Sequence, residues 1–164
     1  MFIRKESWEE IYFNLVYSLA SRSKDPRTKI GAVLVKNQRI ISFGYNNFPE
    51  GIDDSNPYRL NRDVKHNYIV HAEENAILDC AVRGISSVGA ILYTNGLPCP
   101  ACSRMVIVSK IKEVVIHEKW IKNEENCVKK QISKRLLSEA GVKITFFKKE
   151  VNKIGKLNDK IVNV

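Results

Sequence analysis

Two short segments hold the residues best suited to chemistry: His71-Ala72-Glu73 and Pro98-Cys99-Pro100-Ala101-Cys102. An imidazole and two thiols offer nitrogen and sulfur, the donors that zinc prefers in a tetrahedron. Three protein ligands leave a fourth position open for water, as in a catalytic site rather than a closed structural one. Both cysteines fall where a helix is predicted to begin, so unpaired N–H groups and the helix dipole favour thiolate over thiol. Two intervening residues let both sulfurs reach one ion. Zinc held there would lower the pKa of its water to about 7. Glu73 is then the carboxylate that is not a ligand, suited to carry protons as a general acid–base. Alone, C-x-x-C also fits a redox pair, and H-x-E at a helix start also fits surface decoration. Their joint occurrence, each opening a helix, points to a catalytic metal. A closed structural site needs a fourth protein ligand, yet Cys80, Cys127, His66 and His117 lack metal-ligand spacing to the trio. Cys80 reads as a core residue, and His117, ending a strand, is assigned no role.

The elements that must position these residues follow from periodicity. Ser7 and Glu10 form a capping box, and Trp8, Ile11, Tyr12, Leu15, Val16 and Leu19 recur at helical spacing behind it. Ile30–Val35 and Ile40–Phe43 predict a hairpin around Asn37-Gln38. The polar stretch from Gly44 to about His66 carries Pro49, Gly51, Asp53, Asp54 and Pro57, which argue against regular structure; a loop of this length is usually functional. A helix over His71–Arg83 closes at Gly84. Strands are predicted at Val88–Tyr93, Val114–His117 and Val142–Phe147, and helices at Cys99–Ser109 and about Glu124–Ala140. The order αββαβαβαβ predicts an α/β fold in which helices cover both faces of the sheet and its second half is parallel. The tail from about Glu150 reads as a loose or docked extension.

With 164 residues and 44% apolar content, the chain suits one domain with one core. Mean hydropathy is −0.25 and no run approaches the roughly 18–20 apolar residues of a membrane helix. Met1 to Ser7 is short and mixed, without the pattern of a signal peptide. These features predict a cytoplasmic protein without membrane contact. The four cysteines then fit metal binding better than disulfides. A net charge of +9 favours anionic partners, nucleotides or nucleic acid, without choosing between them.

H-x-E followed by P-C-x-x-C is the known signature of zinc nucleobase deaminases. Further segments narrow the match: Arg22-Ser23-Lys24-Asp25-Pro26, Gly31-Ala32, Gly44-Tyr45-Asn46, Phe48-Pro49 with Gly51, His71 to Ile77, and Ile111-Lys112-Glu113-Val114. On these residues the chain resembles the deoxycytidylate (dCMP) deaminases of the cytidine deaminase superfamily, from the first helix to about Phe147. Three places depart from that pattern, one of them Thr94-Asn95-Gly96-Leu97, which stands where the lead-in to the cysteine motif is usually apolar. Asn47 stands where glycine follows G-Y-N, and asparagine tolerates a left-handed backbone. Glu50 places a carboxylate in Phe-Pro-x-Gly, where it would oppose phosphates.

The resemblance implies a three-layer α/β/α sandwich with a five-stranded mixed sheet, residues 1–150 forming the deaminase domain and 151–164 a basic tail. It implies hydrolysis of dCMP to dUMP, the dTMP precursor, and ammonia. Zinc-bound hydroxide attacks C4 while Glu73 moves the protons. His71, Cys99 and Cys102 would hold one Zn2+, Asn46 would bond the sugar, and the Ala72 backbone would orient the base. Arg22, Ser23 and Lys24 would meet phosphate or effector. It further implies a homo-oligomer, often a hexamer, with dCTP as activator, dTTP as inhibitor, and Mg2+ accompanying the triphosphate. Alternatives are a deaminase of another cytosine nucleotide (dCTP, CMP or deoxycytidine), one that edits nucleic acid, or a non-catalytic zinc module. A groove with stacking surfaces would mark editing. The long loop before His71, read as a cover over a terminal phosphate, favours the free nucleotide over nucleic acid.

Overall fold

The computed structural model describes residues 6–120 and 127–151, and the backbone of 154–157 and 160–163. Helix α1 runs Trp8–Ala20, and both halves of its capping box form: Glu10 N–H donates to Ser7 Oγ, and Ser7 N–H to Glu10 Oε2 at 2.7 Å. Its buried face differs from the predicted stripe. Tyr12, Phe13, Val16, Tyr17 and Ala20 point inward, whereas Trp8 is 54% exposed. Apolar residues surround this helix, so packing selects the face: the rings of Phe13 and Tyr17 both meet His117, and Phe13 stacks on Phe147.

Strands β1 (Gly31–Lys36) and β2 (Arg39–Tyr45) form the predicted hairpin. Asn37 and Gln38 at its tip have φ of 51° and 60°, as a type I′ turn requires. Next come α2 (Ala72–Val82), β3 (Ile91–Thr94), α3 (Pro100–Val108), β4 (Glu113–His117), α4 (Val128–Glu139) and β5 (Lys143–Phe147). β3 begins later than predicted because Ser87–Ala90 is a turn, closed by Ala90 N–H to Ser87 O. Glu124 to Asn126, the predicted start of the fourth helix, lie outside the described residues.

The sheet order is β2-β1-β3-β4-β5, with β1 antiparallel to both neighbours and β3, β4 and β5 parallel. Strand alternation splits the core in two. Val33, Val35, Tyr93 and Val115 face α1, while Ala32, Leu34, Leu92, Val114 and Ile116 face the layer of α2, α3 and α4. The three-layer arrangement with a five-stranded mixed sheet is therefore the one expected. Two glycines permit the close packing: a Cβ at Gly31 would lie 2.0 Å from Val16 O, and one at Gly44 2.3 Å from Ala72 O. Beyond β5, Val151 packs into the cluster under α1, and β6 (Ile154–Leu157) and β7 (Lys160–Asn163) pair antiparallel. The described residues of the tail, expected to be a loose or docked extension, thus include two short paired strands. No helix among the described residues is long and apolar enough to cross a membrane.

Candidate active site

The strand exits of β2, β3 and β4 and the entry of β1 meet at one end of the sheet, where ligands bind in open α/β folds. His71 is the N-cap of α2 and Cys99 the N-cap of α3, with Cys102 three residues on. This spacing turns both sulfurs to one side: Cys102 N–H donates to Cys99 Sγ at 3.5 Å. His71 Nδ1 lies 3.5 Å from Cys99 Sγ and 3.4 Å from Cys102 Sγ. Zinc bonds of about 2.3 Å to sulfur and 2.0–2.1 Å to nitrogen, at a tetrahedral angle, require an N···S edge of about 3.5 Å. The residues fit the ion. Among the described residues this trio is the only His/Cys/carboxylate group close enough to share a metal.

Electrostatics prepare the same site. In the metal-free chain, hydrogen bonding from the Cys102 thiol and from His71 holds Cys99 far below the usual thiol range, at about 3. The Cys99 thiolate in turn pushes the Cys102 thiol up and raises His71 to about 9. Glu73, in the first turn of α2, is 5% exposed, and burial raises its pKa against the opposing pull of His71.

His71, Ala72, Glu73 and Cys99 line one cavity of about 490 Å³, within the range of small-ligand sites. Asn46 lies on its wall with its carboxamide engaged: Oδ1 accepts from Ile30 N–H and Nδ2 donates to Thr28 O, both at 2.8 Å. Asn95 does the same one residue along, Oδ1 accepting from Gly31 N–H and Nδ2 donating to Lys29 O, both at 3.0 Å. Asn47 adopts no positive φ; it pairs with Val70 in an isolated antiparallel bridge. Glu50 is exposed and does not line the cavity.

The predicted phosphate contacts are not brought to the site. Arg22, Ser23 and Lys24 do not line the cavity. Ser23 is buried, its Oγ accepting from Asp25 N–H and its carbonyl from Lys29 Nζ, and Lys24 pairs outward with Asp54 at 2.5 Å. The basic side chains on the wall are instead Arg27, Arg62, Lys65, His66 and Lys130, and burial lowers the His66 pKa below its ordinary value. The predicted cover loop supplies three of these five, and it contains two short 3₁₀ turns, Pro57–Leu60 and Lys65–Asn67. Its length signalled function, but nothing in its composition signalled which side chains turn inward.

Residues 6–118 match the model of the cytidine and deoxycytidylate deaminase zinc-binding region. A protein of Aliivibrio fischeri, described as an uncharacterized deaminase in the luxG 3′ region, is 35% identical over 147 residues, covering 89% of this chain and 97% of its own. The mouse deoxycytidylate deaminase is 32% identical over 154 residues, covering 90% and 83%. The crystal structure of the cyanophage S-TIM5 dCMP deaminase in apo form superposes with a TM-score of 0.66 at 26% identity, over 88% of this chain and all of that one. The chain belongs to the cytidine and deoxycytidylate deaminase family. It is accordingly a zinc-dependent deaminase, a hydrolase of carbon–nitrogen bonds.

Proposed function

We propose that the chain hydrolyses dCMP to dUMP and ammonia. One feature carries this reading: a buried carboxyl, Glu73, lines the same cavity as His71 and Cys99, two members of a nitrogen–sulfur–sulfur trio spaced for zinc. His71, Cys99 and Cys102 would hold the zinc, which would act there as a Lewis acid and make water nucleophilic at neutral pH. Glu73 takes one proton from the water and delivers it to N3 of the ring; as the C4–N bond breaks it takes the second proton from the hydroxyl now on C4, which becomes the carbonyl, and passes it to the departing amino nitrogen. Burial raises the Glu73 pKa above the ordinary carboxylate value, which favours a group that must both take and give a proton. Asn46 retains one acceptor and one donor direction beyond its bonds to residues 28–30, which can meet the sugar. The Ala72 backbone, in the first turn of α2 where amides lack helical partners, orients the base. Arg27, Arg62 and Lys130, rather than Arg22, Ser23 and Lys24, supply positive charge for the phosphate.

Regulation by dCTP and dTTP, with Mg2+ accompanying the triphosphate, and a cytoplasmic setting belong to the same reading and are supported by the family resemblance. Assembly into a homo-oligomer belongs to the same reading and rests on the same resemblance. Ammonia release should be measured over cytidine, dCMP, CMP, dCTP and a short oligonucleotide, with and without dCTP and dTTP, alongside metal analysis. Preferred turnover of dCMP supports the reading; turnover of the oligonucleotide alone refutes it. Glu73→Gln should leave a folded, zinc-loaded protein about 10²–10⁴-fold slower, and near-normal turnover would remove Glu73 from its role.

A further inference from the structure

We propose that Asp25 and Lys65 form a positioning pair for this cavity, an inference that rests on the deaminase reading above. Both residues line the cavity, and their side chains are 5% and 8% exposed. Lys65 Nζ donates to Asp25 Oδ2 at 2.6 Å, across 40 positions of sequence. The other oxygen, Asp25 Oδ1, accepts from the backbone N–H groups of Arg27 and Thr28 at 2.8 and 3.2 Å. Asp25 thereby fixes the turn that presents Thr28 O and Ile30 N–H, the two groups that hold the Asn46 carboxamide.

The lysine side is tied equally closely to the site. Lys65 N–H donates to Asn61 O, and Lys65 O accepts from Tyr68 and Ile69 N–H. Val70 then exchanges two backbone bonds with Asn47, and His71 follows directly. One ammonium group therefore joins the segment that orients Asn46 to the segment that delivers His71.

A buried ion pair is a poor device for stability alone, because removing two charges from water offsets most of their attraction. An apolar pair of the same volume would hold two loops together as firmly. It would not fix their direction, whereas a carboxylate with donors on both oxygens has one orientation. Direction matters here, because the Asn46 carboxamide can bond a sugar only while its angle is held, and a hydrogen bond weakens steeply once bent. Lys65 acts through Asn46 and the cavity wall rather than on the reacting atoms, so its loss appears in substrate binding before turnover.

Lys65→Met strands a carboxylate in the interior, so the decisive protein is Asp25→Asn/Lys65→Met, which keeps the volume and removes both charges. Zinc-loaded wild type and double variant should be compared by steady-state kinetics on dCMP and by amide hydrogen exchange. The expected result is a KM raised about tenfold or more with kcat within about threefold, the pattern of lost binding rather than lost transition-state contacts. Zinc should remain at one ion per chain, and amides of 25–30 and 61–70 should exchange faster while those of β3 and β4 do not. Wild-type KM and exchange in the double variant would overturn the proposal. So would its failure to fold, which would make the pair a stability element, or a collapse of kcat at unchanged KM. If wild type releases no ammonia from dCMP, the deaminase reading fails instead, and the exchange measurement still decides the pair.

Discussion

Adding Zn2+ to the metal-free chain at neutral pH should expel two protons from the protein. Coordination needs a neutral imidazole and two thiolates. Without metal, His71 with a pKa of about 9 is an imidazolium at pH 7. Cys99 at about 3 is already a thiolate, and Cys102, pushed up by its neighbour, is a thiol. His71 and Cys102 each lose one proton on binding, and Cys99 loses none. The sign follows: protons compete with metal, so acid weakens binding. Between a pH of about 3 and about 9, where two protons leave, affinity should rise about 100-fold per pH unit.

Calorimetric titration with Zn2+ in two buffers of different ionisation enthalpy reads the count directly, as the slope of apparent enthalpy against buffer enthalpy. Ionisation of a water on the ion, with a pKa of about 7, adds to the protein's two. A slope below about 1.5, or an affinity that barely changes between pH 6 and pH 8, would refute the thiolate–imidazolium–thiol arrangement. Such a result would mean that the three groups are not in contact before the metal arrives.

Three further outcomes follow from the packing. Gly44→Ala sets a methyl 2.3 Å from Ala72 O and 2.7 Å from Ala76 N, both backbone atoms, so α2 must move off β2. Because His71 caps that helix, thermal stability and zinc content should fall together, by about 1–3 kcal/mol in stability; an unchanged melting temperature and metal content would show that α2 slides freely. Asn95→Ala strands Gly31 N–H and Lys29 O in a buried position, and urea unfolding should register a loss of about 2 kcal/mol or more. A loss under about 0.5 kcal/mol would mean water replaces the amide. His117, wholly buried, has Nε2 3.0 Å from Lys149 O and Nδ1 2.5 Å from Tyr17 Oη, which assigns Nε2–H as donor and Nδ1 as acceptor. Burial lowers its pKa from 6.5, so the unfolded chain binds a proton that the folded chain refuses. Stability should therefore drop as pH falls below about 6.5, a decline absent from His117→Gln.

The candidate metal group, with Glu73 beside it, was legible because its logic is local. A histidine at one N-cap with a glutamate two residues on, and cysteines at N-cap and three residues on at another, are fixed by helix geometry within a single turn. The hairpin was legible for the same reason. The face of α1 was not, since Ile11 and Leu15 compete with Phe13 and Tyr17 on equal hydrophobic terms and only distant rings decide. The cluster at 22–24 reads as a phosphate or effector contact from its charge alone, and the fold turns Ser23 inward and Lys24 toward Asp54, away from this cavity's wall. Arg62 and Lys130, which do line the cavity, and the Lys65–Asp25 pair, whose members lie 40 positions apart, are brought together by the fold, and local sequence carries no signal at that range.

The two asparagines show how the cavity opens without exposing broken ladders. β1 is flanked on both sides by antiparallel strands, so its first residues lie beside the last of β2 and β3, with Gly31 opposite Tyr45 and Ala32 opposite Thr94. Past those points the backbones of β2 and β3 must leave the sheet to reach α2 and α3, which carry the ligands. Their departure would strip partners from residues 28–31. Asn46 and Asn95, each the first residue after its strand, close that gap with side-chain amides, which carry one donor and one acceptor group as a peptide unit does. The ladder continues on one edge through Thr28 and Ile30 and on the other through Lys29 and Gly31. The strands are then free to diverge, and the space between their exits becomes the cavity that Glu73 lines.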